Sequence, residues 1–170
     1  RRLTALALAD ALALGLAACD AGAVIQPPKT DGGSVSTTQP SAEQNFQMHF
    51  IDVGQALSVL VECDGQFMLY DGGNVDDGSL IVSYLQNQGV EELQYVFCSH
   101  AHEDHVGGLA GVLAVYETKN LWCPVTEYSS SCFADFLHYA GQQDLTPVCP
   151  DVGSVYSLGS TEITVLGPVS

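Results

Sequence analysis

The sequence predicts a mixed α/β fold, and three observations carry that expectation. Short alternating β runs open the domain, with Asp64-Gly65 as a hairpin turn signal between the second and the third. Strand-like and helix-like segments then alternate, the pattern of a sheet with helices against it. An apolar run, Leu93-Gln94-Tyr95-Val96-Phe97-Cys98, reads as an interior strand and leads straight into His100-Ala101-His102-Glu103-Asp104-His105.

Each element has its own signal. Phe46 to Val53 alternates, with Phe46, Met48 and Phe50 on one side. Ala56 to Glu62 and Gln66 to Tyr70 are the next two strands, and Asp71-Gly72-Gly73-Asn74 closes the third in a loop. Ser79 to Gln88 places Leu80, Ile81, Tyr84 and Leu85 at helical spacing, and Gly89 is its C-terminal stop. Leu93 to Ser99 is a strand. Val106-Gly107-Gly108 turns into a helix over Leu109 to Tyr116. A strand at Leu121 to Cys123, a helix at Phe133 to Gln142 and a strand at Thr146 to Cys149 follow. Val155 to Leu158 and Glu162 to Leu166 form a last β pair around Gly159-Ser160.

The chain has 170 residues, room for one domain of ordinary size. Only 14% of residues are charged and 46% are hydrophobic, which excludes general disorder. The net charge is −16, and the basic residues are Arg1, Arg2, Lys29 and Lys119. So acidic a surface repels nucleic-acid backbones and argues against a general DNA-binding groove. It leaves open a phosphate held at one metal site.

The N-terminus reads as a targeting segment. Arg1-Arg2 precedes an apolar run from Leu3 to Ala18, and Leu16-Ala17-Ala18-Cys19 ends it. That run resembles the lipobox of bacterial lipoproteins, which implies cleavage before Cys19 and lipidation of Cys19. The implied place is the bacterial cell envelope, outside the cytoplasm, with the lipid holding the chain to the membrane. Two or more acyl chains, at ~0.8 kcal/mol per buried CH2, anchor stably. Residues 1–18 are then a signal peptide. Residues 19–45, rich in Pro, Ser, Thr, Gln and Gly, are a flexible linker, and 46–170 are the folded domain.

Five cysteines remain: Cys63, Cys98, Cys123, Cys132 and Cys149. The odd number leaves at least one unpaired within the chain. Cys98 reads as a small core hydrophobe. Cys123 and Cys149 lie on two predicted strands flanking one helix, so a Cys123–Cys149 disulfide is an expectation that an exported location permits.

The chemistry concentrates between residues 100 and 105. Imidazole and carboxylate are ligand types for zinc and similar divalent ions. His100 and His102, two apart, face the same side of an extended chain and can grip one ion. A bend beyond them turns Asp104 and His105 toward a second position. Two ions ~3.5–4 Å apart share a water and lower its pKa to near 7, making a nucleophile for carbonyl or phosphoryl centres. Asp104 is therefore both a ligand and a catalytic candidate. Asp71 is a catalytic or supporting carboxylate, because it too ends a strand and begins a Gly-rich loop. Glu103 points away. His49 and His138, lone histidines, read as core or surface residues.

This pattern resembles the metallo-β-lactamase fold superfamily, whose hallmark is His-x-His-x-Asp-His after a buried strand. It is most similar to the hydrolase domain of ComEC-type DNA-uptake proteins. Three motifs in order carry the likeness: His49-Phe50-Ile51-Asp52-Val53-Gly54-Gln55, Leu69-Tyr70-Asp71-Gly72-Gly73, and Ser99 to Gly108. The resemblance implies a four-layer αβ/βα sandwich and two divalent metal ions, zinc or manganese. It implies His100 and His102 on the first ion, Asp104 and His105 on the second, and Asp71 in support. The implied activity is hydrolysis of phosphodiester or nucleotide substrates, small molecules or nucleic acid. Alternatives are hydrolysis of a β-lactam or another ester, or a non-catalytic surface lipoprotein module.

Two departures stand out. Such proteins read Gly-Gln-Gly-Asp-Ser where this chain reads Gly54-Gln55-Ala56-Leu57-Ser58. The family also draws further ligands from its second half, and no residue after His105 matches them. They are expected beyond Ser170, with the domain holding the N-terminal half of the fold, binding metal weakly and exposing part of its core.

Overall fold

In the computed structural model, residues 45–167 are described. The expected signal peptide, the expected lipidation at Cys19 and nearly all of the expected linker lie outside them. Nine strands and four helices run in the order β1 (Phe46–Phe50), β2 (Val59–Cys63), β3 (Gln66–Tyr70), α1 (Gly78–Asn87), β4 (Glu92–Leu93), β5 (Tyr95–Phe97), α2 (Glu103–Val106), α3 (Leu109–Leu113), β6 (Glu117–Thr118), β7 (Leu121–Trp122), α4 (Ser131–Gln142), β8 (Val155–Leu158) and β9 (Thr161–Thr164), counted among the described residues. The mixed α/β class expected from sequence is the observed one.

The main sheet has the order β1-β2-β3-β5-β7. β1, β2 and β3 meander antiparallel, turned by Asp64 and Gly65 at φ of 51° and 77°. β3–β5 and β5–β7 are parallel, because a helix crosses over between each pair. The C-terminal ends of β3 and β5 therefore lie side by side, with Tyr70 opposite Phe97. Asp71 and Ser99 follow those two ends, and the topology brings the two loops of interest together.

One face of the sheet is covered by α1, α3 and α4. Leu60, Leu69, Ile81, Leu85, Val96, Leu109, Val112, Phe133 and Phe136 are buried there. In α1, Ile81 and Leu85 face the core, Tyr84 is half-buried and Leu80 is 46% exposed, so the apolar stripe is narrower than the composition suggests. α4 begins where the Ser130 hydroxyl accepts the Phe133 amide at 3.3 Å, an N-cap three residues upstream of the expected start.

The opposite face is covered in part by the β8–β9 hairpin. Leu158 is buried against Val61, Met68 and Trp122, while the Trp122 ring lies 4.5 Å from Tyr95 and 4.5 Å from Tyr156. A cavity of about 490 Å³ remains between sheet and hairpin, lined by Met68, Tyr70, Phe97, Trp122 and Ile163 and reaching Ser99. At the sheet edge, Phe46, Met48 and Phe50 of β1 do share one side, and that side is exposed, Phe50 to 74%.

Four expectations are corrected. The strand Leu93 to Ser99 is broken at Gln94, whose amide bonds Phe67 and whose carbonyl takes the Asn120 side chain. β4 then pairs with β6 in a separate small sheet, and β6 had no clear sequence signal. The helix expected over Leu109 to Tyr116 ends at Leu113 as α3, and a separate helical turn, α2, precedes Gly107-Gly108 within the histidine run. Thr146 to Cys149 forms only a bridge from Val148 to Trp122, because Pro147 and Pro150 have no N–H to give a ladder. Finally, all five described cysteines are free thiols. Cys149 is exposed, whereas Cys123 is buried beside Cys98, the residue after the neighbouring strand. A thiol–thiol hydrogen bond and burial push the Cys98 thiol well above its usual range.

Candidate metal centre

The site is built where two chain reversals touch. After β3, Asp71 takes a left-handed φ of 60°, a conformation that aspartate tolerates better than most residues. This turns its backbone onto the neighbouring strand, so that its amide donates to the Phe97 carbonyl at 2.8 Å. Gly72 then passes against the start of α3, where an added Cβ would lie 2.6 Å from the Leu109 nitrogen. The Gly72 amide donates to the His105 carbonyl at 2.6 Å, and Gly108 donates back to the Gly72 carbonyl at 3.2 Å. Glycine here serves close approach of backbone to backbone.

Behind the histidines, Asp71 is fully buried, with 0% of its surface exposed. Its carboxylate accepts three bonds: the Ser99 amide at 2.7 Å, the Ser99 hydroxyl at 2.6 Å and His105 Nδ1 at 2.7 Å. Buried carboxylates persist when hydrogen-bonded in this way. The Ser58 hydroxyl donates to the Asp71 carbonyl at 3.0 Å, and the Leu57 amide donates to the Asp104 carbonyl at 3.2 Å. The loop that departs from the family pattern thus braces both halves of the site with its backbone and Ser58.

On the open side, His100, Asp104 and His105 converge. One ligand atom from each lies within 4.8 Å of the others. His105 Nε2 stands 3.5 Å from Asp104 Oδ2, and the rings of His100 and His105 are 3.9 Å apart. His102 lies outside that group of three. Its ring meets the His100 ring edge-on at 4.8 Å and leans toward Tyr128 at 6.0 Å, exposed to solvent. Burial, with the nearby His105 and His102 next, lowers the His100 pKa below its ordinary 6.5. The neutral imidazole so favoured is the form that ligates metal.

This donor set fits a divalent cation. Two imidazoles and a half-exposed carboxylate crowd together with no lysine or arginine among them. Lys119, the only Lys or Arg among the described residues, is held elsewhere by Glu117 at 2.6 Å and Glu92 at 3.1 Å. Glu103 is exposed. The two lone histidines have structural partners: His49 Nδ1 bonds the Tyr84 hydroxyl at 2.9 Å and His138 bonds Gln142 at 3.0 Å.

Sequence reasoning did not single out Ser99 or Ser58. Ser99 carried a usable signal, since it sits between an interior strand and a ligand. Ser58 had a weaker one, as the serine retained at the end of the Gly54 to Ser58 stretch, though it reads as one more residue of a β run.

The chain is similar to several known proteins. The chain is 34% identical over 88 residues to recombination protein 2 of Haemophilus influenzae, covering 49% of this chain and 11% of that protein. It is 34% identical over 100 residues to the uncharacterized protein YcaI of Escherichia coli, covering 55% of this chain and 13% of that one. The chain therefore spans a small part of these relatives. Among solved structures, the MIM-2 metallo-β-lactamase superposes with a TM-score of 0.44 and 22% identity, over 64% of this chain and 44% of that one. The sequence profile of the metallo-β-lactamase superfamily matches residues 51–162, more than half of the chain. With that match spanning Asp71 and the whole histidine run, the chain belongs to the metallo-β-lactamase superfamily, whose members are generally hydrolases that bind divalent metals such as zinc.

Proposed function

We propose that this protein is a lipid-anchored, extracytoplasmic hydrolase that uses a metal-activated water on phosphodiester or nucleotide substrates. The convergence of His100, Asp104 and His105 within 4.8 Å, backed by buried Asp71, is the observation that carries the reading. His100 and His102 would hold one ion and Asp104 and His105 another. Bound divalent ions supply a water with a pKa near 7 and stabilise oxygens that gain charge. The chain's own part is orientation. Asp71 fixes His105 through Nδ1, and the backbone bonds from Leu57 and Gly72 hold Asp104 and His105 in place.

The phosphodiester assignment draws support from the Haemophilus relative, whose name refers to recombination, a nucleic-acid process. The net charge of −16 and the engagement of Lys119 favour a small substrate over long duplex DNA. Envelope anchoring draws on the run Leu16-Ala17-Ala18-Cys19.

The test is hydrolysis of bis(p-nitrophenyl) phosphate by the purified chain with added zinc or manganese. His102→Ala is expected to lower the rate at least ~10–100-fold, the range that loss of even an outer-shell partner costs. Undiminished turnover in that variant overturns the mechanism. Turnover of the chromogenic β-lactam nitrocefin with no phosphodiester cleavage assigns a different substrate to the same centre. For the anchor, labelled palmitate is expected on the wild-type chain and absent from Cys19→Ala.

A further inference from the structure

We propose that Ser99 is the positioning residue that sets which nitrogen of His100 faces the metal. The inference rests on the metal-centre reading above and deepens it. The Ser99 hydroxyl lies 2.6 Å from Asp71 Oδ2, 3.0 Å from His100 Nδ1 and 3.3 Å from His105 Nδ1. It owns a single proton. A carboxylate only accepts, so an oxygen–oxygen contact of 2.6 Å needs the serine proton between the two atoms. The hydroxyl is then an acceptor toward His100, and the proton on that bond belongs to His100 Nδ1. The same accounting applies to His105, whose Nδ1 lies 2.7 Å from Asp71 Oδ2 and must donate to it.

Both rings therefore carry their proton on Nδ1 and leave the Nε2 lone pair free. His105 Nε2 faces the Asp104 carboxylate at 3.5 Å, where a divalent ion between the two would take both lone pairs. Asp71 reaches His105 directly and His100 only through Ser99. One buried carboxylate thus orients two ligands, and the serine hydroxyl is the relay that extends its reach. The Ser99 amide, bonded to Asp71 Oδ1 at 2.7 Å, keeps the relay in register. A ligating imidazole whose second nitrogen is held in this way is fixed in tautomer and rotation.

The tautomer can be read without metal and without activity. Long-range proton–nitrogen NMR of the metal-free chain at pH 8, above the ordinary imidazole value of ~6.5, reports the protonated nitrogen of His100. Wild type is expected to show Nδ1–H. Ser99→Ala is expected to lose that preference, and Ser99→Thr, which keeps the hydroxyl, to retain it. Zinc titration against a chromophoric chelator is expected to show ~10–100-fold weaker binding in Ser99→Ala, the range for lost outer partners, with recovery in Ser99→Thr. An Nε2–H tautomer at His100 in the wild type overturns the proposal, whatever the metal does. So does a Ser99→Ala variant with unchanged tautomer and zinc affinity. If the wild-type chain takes no zinc while the Nδ1–H tautomer depends on Ser99, the hydrolase reading fails and the serine's orienting role stands.

Discussion

Asp71 illustrates how much one side chain can be asked to do. It occupies a left-handed backbone position and has no exposed surface. Three donors end on its carboxylate. Replacing it separates those roles. Asp71→Asn keeps a residue that tolerates φ near 60° but turns an amide NH₂ toward donors that need an acceptor. Leaving buried donors unsatisfied costs ~1–3 kcal/mol. Asp71→Asn is therefore expected to lower thermal stability by about that amount while keeping the fold. It is also expected to weaken zinc binding ~10–100-fold. Calorimetric unfolding and zinc titration check the two effects separately. An unchanged zinc affinity would show that His105 needs no buried partner.

Among the elements, the β8–β9 hairpin is held by a few polar contacts at its turn. Ser160 donates its amide to Asp64 Oδ2 at 2.9 Å, and Gly159 donates to Gln66 Oε1 at 2.8 Å. Ser160's hydrogen bonds hold the Asp64 carboxyl below its ordinary 3.8. A carboxylate with a depressed folded-state pKa stabilises the fold above its unfolded value and loses that contribution as pH falls through the folded one. The hairpin is expected to loosen only below pH 3.8, and Asp64→Asn is expected to loosen it at neutral pH. The chain has a single tryptophan, and Tyr156 of β8 lies 4.5 Å from it. Trp122 fluorescence therefore reports hairpin docking. An Asp64→Asn spectrum identical to wild type at pH 7 would show that the apolar contacts of Leu158 suffice.

At the scale of the molecule, charge governs what reaches the site. Among the described residues the only Lys or Arg is Lys119, bound between two glutamates that raise its pKa. The net charge is −16 before any metal binds. An anionic phosphodiester is repelled on approach, and salt screens that repulsion over a Debye length of ~10 Å at 0.1 M. Raising ionic strength from 20 to 200 mM at saturating metal is expected to increase kcat/KM for bis(p-nitrophenyl) phosphate severalfold. A nuclease with a basic groove responds in the opposite direction. A fall in kcat/KM with salt would count against a small anionic substrate.

The sequence by itself determined most of the element types and the place of the chemistry. Alternation, the Asp64-Gly65 turn, the Gly89 stop and the apolar run before His100 are local signals, and local signals survive without knowledge of the fold. Four candidate ligands in six residues are legible for the same reason. Tertiary structure alone decided what those residues touch. Asp71 and Ser99 are 28 positions apart, and only the parallel pairing of β3 and β5 sets them side by side. Ser58 reaches Asp71 through the antiparallel β2–β3 pair. Gln94 breaks a run that reads as continuous because its partners, Phe67 and Asn120, lie on other segments. The Cys123 thiol meets Cys98 because β7 pairs with β5, and Cys149 stays a free, exposed thiol although Val148 beside it bridges to Trp122. Local pattern records what a residue is suited to, and a hydrogen bond between distant segments exists only once the chain has closed the loop between them.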